Sequence, residues 1–277
     1  MKLVGIRTGR RVEVAVQIGD RVTPLAEVSE FYADLDASLA LARKVPTGDI
    51  PLAEVRLAPP VPPSARVICI GLNYRAHAAE GGFTPPDHPT VFGRWVASLT
   101  AGETPAPVPA NEPGLDWEGE VAAIVGQQLT DVDEATAAAG VLGYATFNDL
   151  PARTAQKLTA QWTLGKNGDR SGPIGPLVTA DEVGDLADGL RVVTRVNGET
   201  VQDGNTRDMI FGVGDLLSRI SRTFTLHPGD VIATGTPDGV GYVRTPPWLL
   251  HPGDVVEVDI DSLGTLRTPI VGPEERP

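Results

Sequence analysis

The stretch Leu115-Asp116-Trp117-Glu118-Gly119-Glu120-Val121-Ala122-Ala123-Ile124-Val125-Gly126 carries both the fold and the chemistry of this chain. Its second half is apolar and β-branched and stops at a glycine, the pattern of a strand. Side chains alternate faces along a strand, so Glu118 and Glu120 share one face, roughly 7 Å apart. Two carboxylates that close, running into an apolar segment, cost free energy unless a cation sits between them. The same E-x-E spacing also suits an edge strand that faces water. A third carboxylate, Asp149 in Tyr144-Ala145-Thr146-Phe147-Asn148-Asp149-Leu150, is flanked by apolar residues and could complete an all-oxygen cation site. Carboxylates alone suit Mg²⁺, Mn²⁺ or Ca²⁺ rather than Zn²⁺.

Composition narrows the setting. At 277 residues the chain can bury a full core, as one large domain or one domain with a small appendage. No stretch approaches the ~20 apolar residues of a membrane span, and Met1-Lys2-Leu3-Val4-Gly5-Ile6-Arg7 lacks the apolar region of a signal peptide. The single cysteine, Cys69, excludes an internal disulfide and a cysteine-based zinc site. A cytoplasmic protein is expected. The formal net charge of −13 argues against nucleic acid and anionic membranes as partners. It leaves a small anionic substrate open, because a bound ion and nearby Lys or Arg set the local field. With 31 Gly and 25 Pro, the chain suits many short strands joined by tight turns.

Along the chain, Leu57-Ala58-Pro59-Pro60-Val61-Pro62-Pro63 is stiff and poor in donors, so it marks a boundary. A small β-rich module, 1–60, is expected before it, with a helix-like stretch at 33–43, and a main body, 61–277, after it. The body opens with the strand Val67-Ile68-Cys69-Ile70. Asn73 then suits the N-cap of a short helix, Tyr74-Arg75-Ala76-His77-Ala78-Ala79-Glu80, closed by Gly81-Gly82. Residues 81–89 and 104–113 read as Pro-rich loops. A helix is expected through Arg153-Thr154-Ala155-Gln156-Lys157. Asn197-Gly198 between β-branched runs predicts a hairpin. Leu226-His227-Pro228-Gly229-Asp230-Val231 and Leu250-His251-Pro252-Gly253-Asp254-Val255 predict two strands entered through the same turn, with His227 and His251 at the surface.

Several residues could carry chemistry. His77 and Glu80 are spaced i,i+3, so a carboxylate can fix the imidazole tautomer and raise its basicity, as a general base needs. An ordinary surface pair has the same spacing. Lys166, after Trp162-Thr163-Leu164-Gly165, could offset charge on a substrate near a metal, or could simply be solvated. Thr234-Gly235-Thr236-Pro237-Asp238-Gly239-Val240-Gly241 lacks the lysine of a phosphate loop, which argues against nucleotides. Its backbone N–H groups and the Thr236 hydroxyl could serve a small ligand. Cys69 lies in an apolar strand and reads as a buried structural thiol.

Taken together, four segments resemble the fumarylacetoacetate hydrolase family. They are Gly71-Leu72-Asn73-Tyr74-Arg75-Ala76-His77-Ala78-Ala79-Glu80, Asp116-Trp117-Glu118-Gly119-Glu120, Phe147-Asn148-Asp149 with Arg153 and Gln156, and 205–241 from Asn205-Thr206 to the Gly-rich loop. The resemblance implies an α+β, β-rich fold, a mixed β-sheet roll with a few flanking helices, commonly a homodimer. It implies that Glu118, Glu120 and Asp149 bind Mg²⁺ or Mn²⁺ and that His77 and Glu80 form an acid/base dyad on a segment that closes over ligand. It places Lys166, Arg153, Gln156 and Thr236 around the substrate. Many members put Ser or Gly and then Phe after the lysine, whereas this chain has Lys166-Asn167-Gly168-Asp169, which changes the pocket wall.

The expected activity is metal-dependent hydrolysis of a C–C bond in a 2-oxo, 1,3-dicarbonyl acid of the acylpyruvate or fumarylpyruvate type. His77 would activate water, and the metal and Lys166 would stabilise the enolate. An oxaloacetate-type decarboxylase and a 2-hydroxyhepta-2,4-diene-1,7-dioate-type isomerase are the alternatives on the same site. A non-catalytic protein that binds metal and 2-oxo acids ranks below them.

Overall fold

The computed structural model describes residues 1–82, 84 and 87–276, so the 81–89 loop lies partly outside the described residues. The Gly119–Val125 strand is buried along its whole length. It is apolar on both faces because it lies inside a large mixed sheet. Val141–Asn148 pairs with it antiparallel on one side and Val231–Ala233 antiparallel on the other. Val67–Gly71 then runs parallel to Val231–Ala233, and Thr90–Arg94 closes this end as the edge strand.

One face of the central strand, Val121, Ala123 and Val125, packs with Tyr144, Val258 and the amphipathic helix Val213–Ser221. The other face, Ala122 and Ile124, packs with Cys69, Ala145, Phe147 and Phe31. Each fully buried Val or Ile among them stabilises the fold by about 1.5–3 kcal/mol, and each Ala by less.

The N-terminal strands Lys2–Thr8, Arg11–Ile18 and Arg21–Glu27 form an antiparallel meander. They extend the same sheet through Lys2↔Val178 and Leu3↔Leu177. Their outer face keeps a small core of its own, Val4, Ile6, Ala15 and Val22. A second sheet runs Glu199–Asn205, Arg191–Val196, Val255–Ile260, Gly264–Val271 and Ala106–Pro107. The expected mixed, sheet-rich fold with short flanking helices is what the chain adopts.

Local expectations mostly hold. Asn197 and Gly198 take positive φ (50° and 84°) between paired strands, as a tight hairpin turn requires. His227 and His251 are exposed, and each donates its backbone N–H to the aspartate three residues on, Asp230 and Asp254. The 33–43 stretch contains the expected helix, Leu35–Ala42, which starts where the Asp34 carboxylate accepts the Ala37 N–H, and a further short helix, Val28–Ala33, precedes it. One expectation fails. Asn73 is not an N-cap. Tyr74 takes that position without a side-chain bond. The Asn73 amide instead donates to the Phe211 and Thr234 carbonyls and accepts the Phe211 N–H. Long-range demands on a buried amide outweigh local capping.

Candidate functional site

Topology explains why distant motifs meet. The strands Val67–Gly71, Val141–Asn148 and Val231–Ala233 all end on the edge of the sheet where Gly119–Val125 begins. The segments that follow or precede those ends carry His77 and Glu80, Asp149, the Thr234–Gly241 loop, and the Glu118/Glu120 pair. The face that packs Ala122, Ile124, Ala145 and Phe147 continues at that edge as Glu120, Glu118 and Asp149.

These three carboxylates are buried, and an oxygen of each lies within 4.8 Å of the others. The ladder itself enforces this, since the Asp149 N–H donates to the Glu118 carbonyl at 3.0 Å. Lys166 is 1% exposed, and its Nζ donates to Glu118 Oε2 and Asp149 Oδ2. Arg153 bonds Glu118 Oε1 at 2.8 Å and Asp116 Oδ2 at 2.7 Å. Arg94, also buried, donates to Asp149 Oδ1, to the Ser98 and Ser171 hydroxyls, and to the Leu150 and Ser171 carbonyls.

Glu120 is treated differently. Among the described residues it pairs with no basic side chain, and its one hydrogen bond comes from the Gly235 N–H at 2.9 Å. Burial, with Asp149 and Glu118 nearby, pushes its carboxyl well above the ordinary range. Burial also acts to raise Asp149, but Arg94 and Lys166 outweigh it and hold Asp149 below its usual value. Burial alone would lower Lys166, yet Asp149 and Glu118 hold its ammonium above the usual value. Four buried carboxylates (Asp116, Glu118, Glu120, Asp149) thus face three basic groups (Arg94, Arg153, Lys166). With all four ionised, one negative charge is left over, and it falls on Glu120, the carboxylate without a basic partner. An all-oxygen, electron-rich cluster with excess negative charge fits a hard divalent ion such as Mg²⁺ or Mn²⁺.

The carboxylates lie at the base of a cavity of about 400 Å³ whose wall includes His77, Arg153, Gln156, Lys166 and Thr236. Of the expected site residues, Glu118, Glu120, Asp149, His77, Lys166, Arg153, Gln156 and Thr236 line it, and Glu80 does not. Glu80 reaches it through two bonds: its Oε2 lies 3.4 Å from His77 Nδ1, and its carboxylate accepts the Gly239 N–H at 3.0 Å. The short helix Arg75–Glu80 is thereby tied to the Gly-rich loop. Gly235 in that loop has φ +96°, and an added Cβ would press on Asn73 Cβ at 2.9 Å, so only glycine fits. The Thr236 hydroxyl donates to the Gly119 carbonyl at 2.9 Å and accepts from Gln202 Nε2, so its proton is held by the sheet rather than offered to the cavity. Gln156 Oε1 accepts from Arg153 at 2.9 Å.

Two contributors escaped the sequence reading. Arg94 stands at the end of an apolar run, Val91-Phe92-Gly93, a pattern that signals a buried charge only when its partner is known. Asp116 is fully buried and accepts from Trp117, Gly241, Tyr242 and Arg153. An acid set between Leu115 and Trp117 was a usable sign.

The family model for the Fumarylacetoacetate (FAA) hydrolase C-terminal region matches residues 66–271. The chain belongs to the fumarylacetoacetate hydrolase family. Within this family it is 39% identical over 261 residues to the oxaloacetate tautomerase YisK of Bacillus subtilis, covering 91% of this chain and 86% of that protein. It is similar to the fumarylacetoacetate hydrolase of Exiguobacterium antarcticum, with a TM-score of 0.79, 33% identity, and coverage of 98% and 99% of the two chains. The fumarylpyruvate hydrolase of Pseudomonas aeruginosa, solved with Mn²⁺ and pyruvate, matches at a TM-score of 0.69 and 32% identity. That match covers 78% of this chain and 91% of the other. The family's fold therefore extends over nearly the whole chain, first 60 residues included.

Proposed function

We propose that this protein is a divalent-metal-dependent hydrolase that cleaves a C–C bond in a 2-oxo, 1,3-dicarbonyl acid. The observation that carries the reading is the buried Glu118–Glu120–Asp149 cluster, short of one positive charge, at the base of a cavity that also holds His77. The fumarylpyruvate hydrolase solved with Mn²⁺ and pyruvate supports it, since pyruvate is a product of such a cleavage.

Glu118, Glu120 and Asp149 would hold the ion, Mg²⁺ or Mn²⁺. When bound it would act as a Lewis acid on the 2-oxo carbonyl and its carboxylate. Glu80 fixes His77 through Nδ1, which leaves Nε2 to take a proton from water. The water oxygen bonds to the distal carbonyl carbon. The C–C bond then breaks, its electron pair passes to the 2-oxo fragment as an enolate, and a proton on that carbon completes the product. Lys166 and Arg153 supply fixed positive charge beside the developing anion. Gln156 holds Arg153 in place, and Thr236 lines the cavity while bracing the start of the Glu118/Glu120 strand through the Gly119 carbonyl.

A second reading, keto–enol tautomerisation of oxaloacetate, is favoured by the 39% identity to YisK. It needs the same ion and a proton shuttle, and no water attack. Proton NMR separates the readings. Chelator-treated protein is mixed with acetylpyruvate or oxaloacetate, with and without Mn²⁺. Acetate and pyruvate from acetylpyruvate, only with metal, are expected. Accelerated loss of the oxaloacetate enol with acetylpyruvate intact would replace hydrolase by tautomerase. Pyruvate formed from oxaloacetate faster than the metal-only control would point to decarboxylation.

We also propose a cytoplasmic homodimer and an appended module at 1–60 before a catalytic body at 61–277. The dimer reading is supported by the edge strand Thr90–Arg94, which leaves Val91 46% and the adjoining Trp95 60% exposed. The cytoplasmic reading is supported by a single, buried, unpaired cysteine. The small core of Val4, Ile6, Ala15 and Val22 supports the module. Among the described residues no helix is long and apolar enough to cross a membrane.

A further inference from the structure

The basic groups at the base of the cavity are already committed. Arg153 is shared by Asp116, Glu118 and Gln156, and Lys166 by Glu118 and Asp149. Lys157, one turn on from Arg153, is not. It lines the cavity and is exposed, and no carboxylate pairs with it among the described residues. Its Nζ lies 3.3 Å from the centroid of the Tyr242 ring, which also lines the cavity. A ring face attracts and orders an ammonium without neutralising it. The loss of side-chain freedom on binding an anion is thereby partly met in advance.

The spacing bounds the distance a ligand must bridge. Arg153 Cζ stands 5.9 Å from the same ring centroid. Two groups 3.3 Å and 5.9 Å from one point are at most about 9 Å apart, and Arg153 touches Glu118 of the carboxylate cluster. The cavity wall also includes the apolar Ile70, Phe92, Trp162 and Val240. Such a wall suits a carbon chain.

We infer that Lys157, held on Tyr242, binds a second carboxylate, so the pocket selects 2-oxo dicarboxylic acids over 2-oxo monocarboxylic acids of equal length. The inference rests on the 2-oxo acid reading above and adds the polarity of the substrate's far end.

Two probes isolate that end. 2-Oxoglutarate and 2-oxovalerate have the same carbon chain and differ in a terminal carboxylate against a methyl group. Their binding to the Mn²⁺-loaded full chain is measured by calorimetry, which needs no turnover. Wild-type protein is expected to favour 2-oxoglutarate by about fivefold, the scale of a largely exposed ion pair. Lys157→Gln is expected to bring the ratio close to one by weakening 2-oxoglutarate alone. Lys157→Arg should keep the preference, and Lys44→Gln, a distant exposed site, should leave it unchanged. A wild-type ratio near one, or a Lys157→Gln variant that weakens both acids equally, would overturn the inference while leaving the 2-oxo acid reading intact. Failure of both acids to bind would overturn that reading and the inference with it.

Discussion

At the residue scale, the site is a set of buried charges whose partners decide their states. His77 lines the cavity, and none of the carboxylates bonds it except Glu80. His77→Ala is therefore expected to lower turnover by about 10² or more with Mn²⁺ affinity nearly unchanged, as read by kinetics alongside calorimetry. Unaltered turnover would remove the dyad from the mechanism. Glu120 gives a pH prediction. A carboxyl raised above its unfolded value binds a proton on folding, so its stabilising contribution is complete below the unfolded value. That contribution is lost as pH rises through the folded one. Metal-free protein should melt at lower temperature as pH rises from the carboxylate range toward neutrality, and Mn²⁺ should restore more at high pH than at low pH. Glu120→Gln should flatten this slope and abolish the Mn²⁺-dependent rise in melting temperature, as followed by scanning calorimetry. Much of this was legible beforehand. Glu118, Glu120 and Asp149 stand out as acids beside apolar runs, and the two glutamates have strand spacing. Arg94 was not, because an arginine at a strand end gives no sign of an aspartate 55 residues on.

At the element scale, the short helix Arg75–Glu80 has no side-chain N-cap and is held through Glu80 to Gly239. Six residues cannot sustain a helix in water without such tertiary ties. Glu80→Ala should raise amide hydrogen exchange at 75–82 and 237–241 together. Faster exchange confined to one segment would mean the two are not coupled. The edge strand Thr90–Arg94 is anchored by Arg94, whose guanidinium joins it to Asp149, Ser98 and Ser171. Arg94→Met leaves Asp149 facing Lys166 alone and should cost about 3–5 kcal/mol, the usual penalty for breaking a buried ion pair, as measured by denaturant unfolding of metal-free protein. Strand order was legible where local chemistry dictates it, as at Asn197-Gly198 and the two His-Pro-Gly-Asp turns. The role of Asn73 was not legible, because its side chain takes distant backbone partners over the local cap.

At the scale of the whole molecule, the sheet converts sequence distance into proximity. Three strand ends and one strand start share an edge, so residues from 70 to 243 line one cavity. The resemblance anticipated this convergence, whereas no periodicity in the chain reports which strands are neighbours. Periodicity also fails to report that Lys2–Thr8 joins the sheet of the body. The lateral edge strand Thr90–Arg94 leaves Val91 and the adjoining Trp95 in contact with solvent. Trp95→Glu is expected to shift the protein from dimer to monomer by light scattering, and a monomeric wild-type chain would refute the dimer.

In the proposed mechanism Glu118, Glu120 and Asp149 would together hold one divalent ion on which the chemistry depends. Titration of chelator-treated protein with Mn²⁺, with the free ion read by electron paramagnetic resonance, tests it most directly. Saturation at one ion per chain, lost in Asp149→Asn, is the predicted result. Non-saturable uptake, or uptake equal in wild type and Asp149→Asn, would contradict the account.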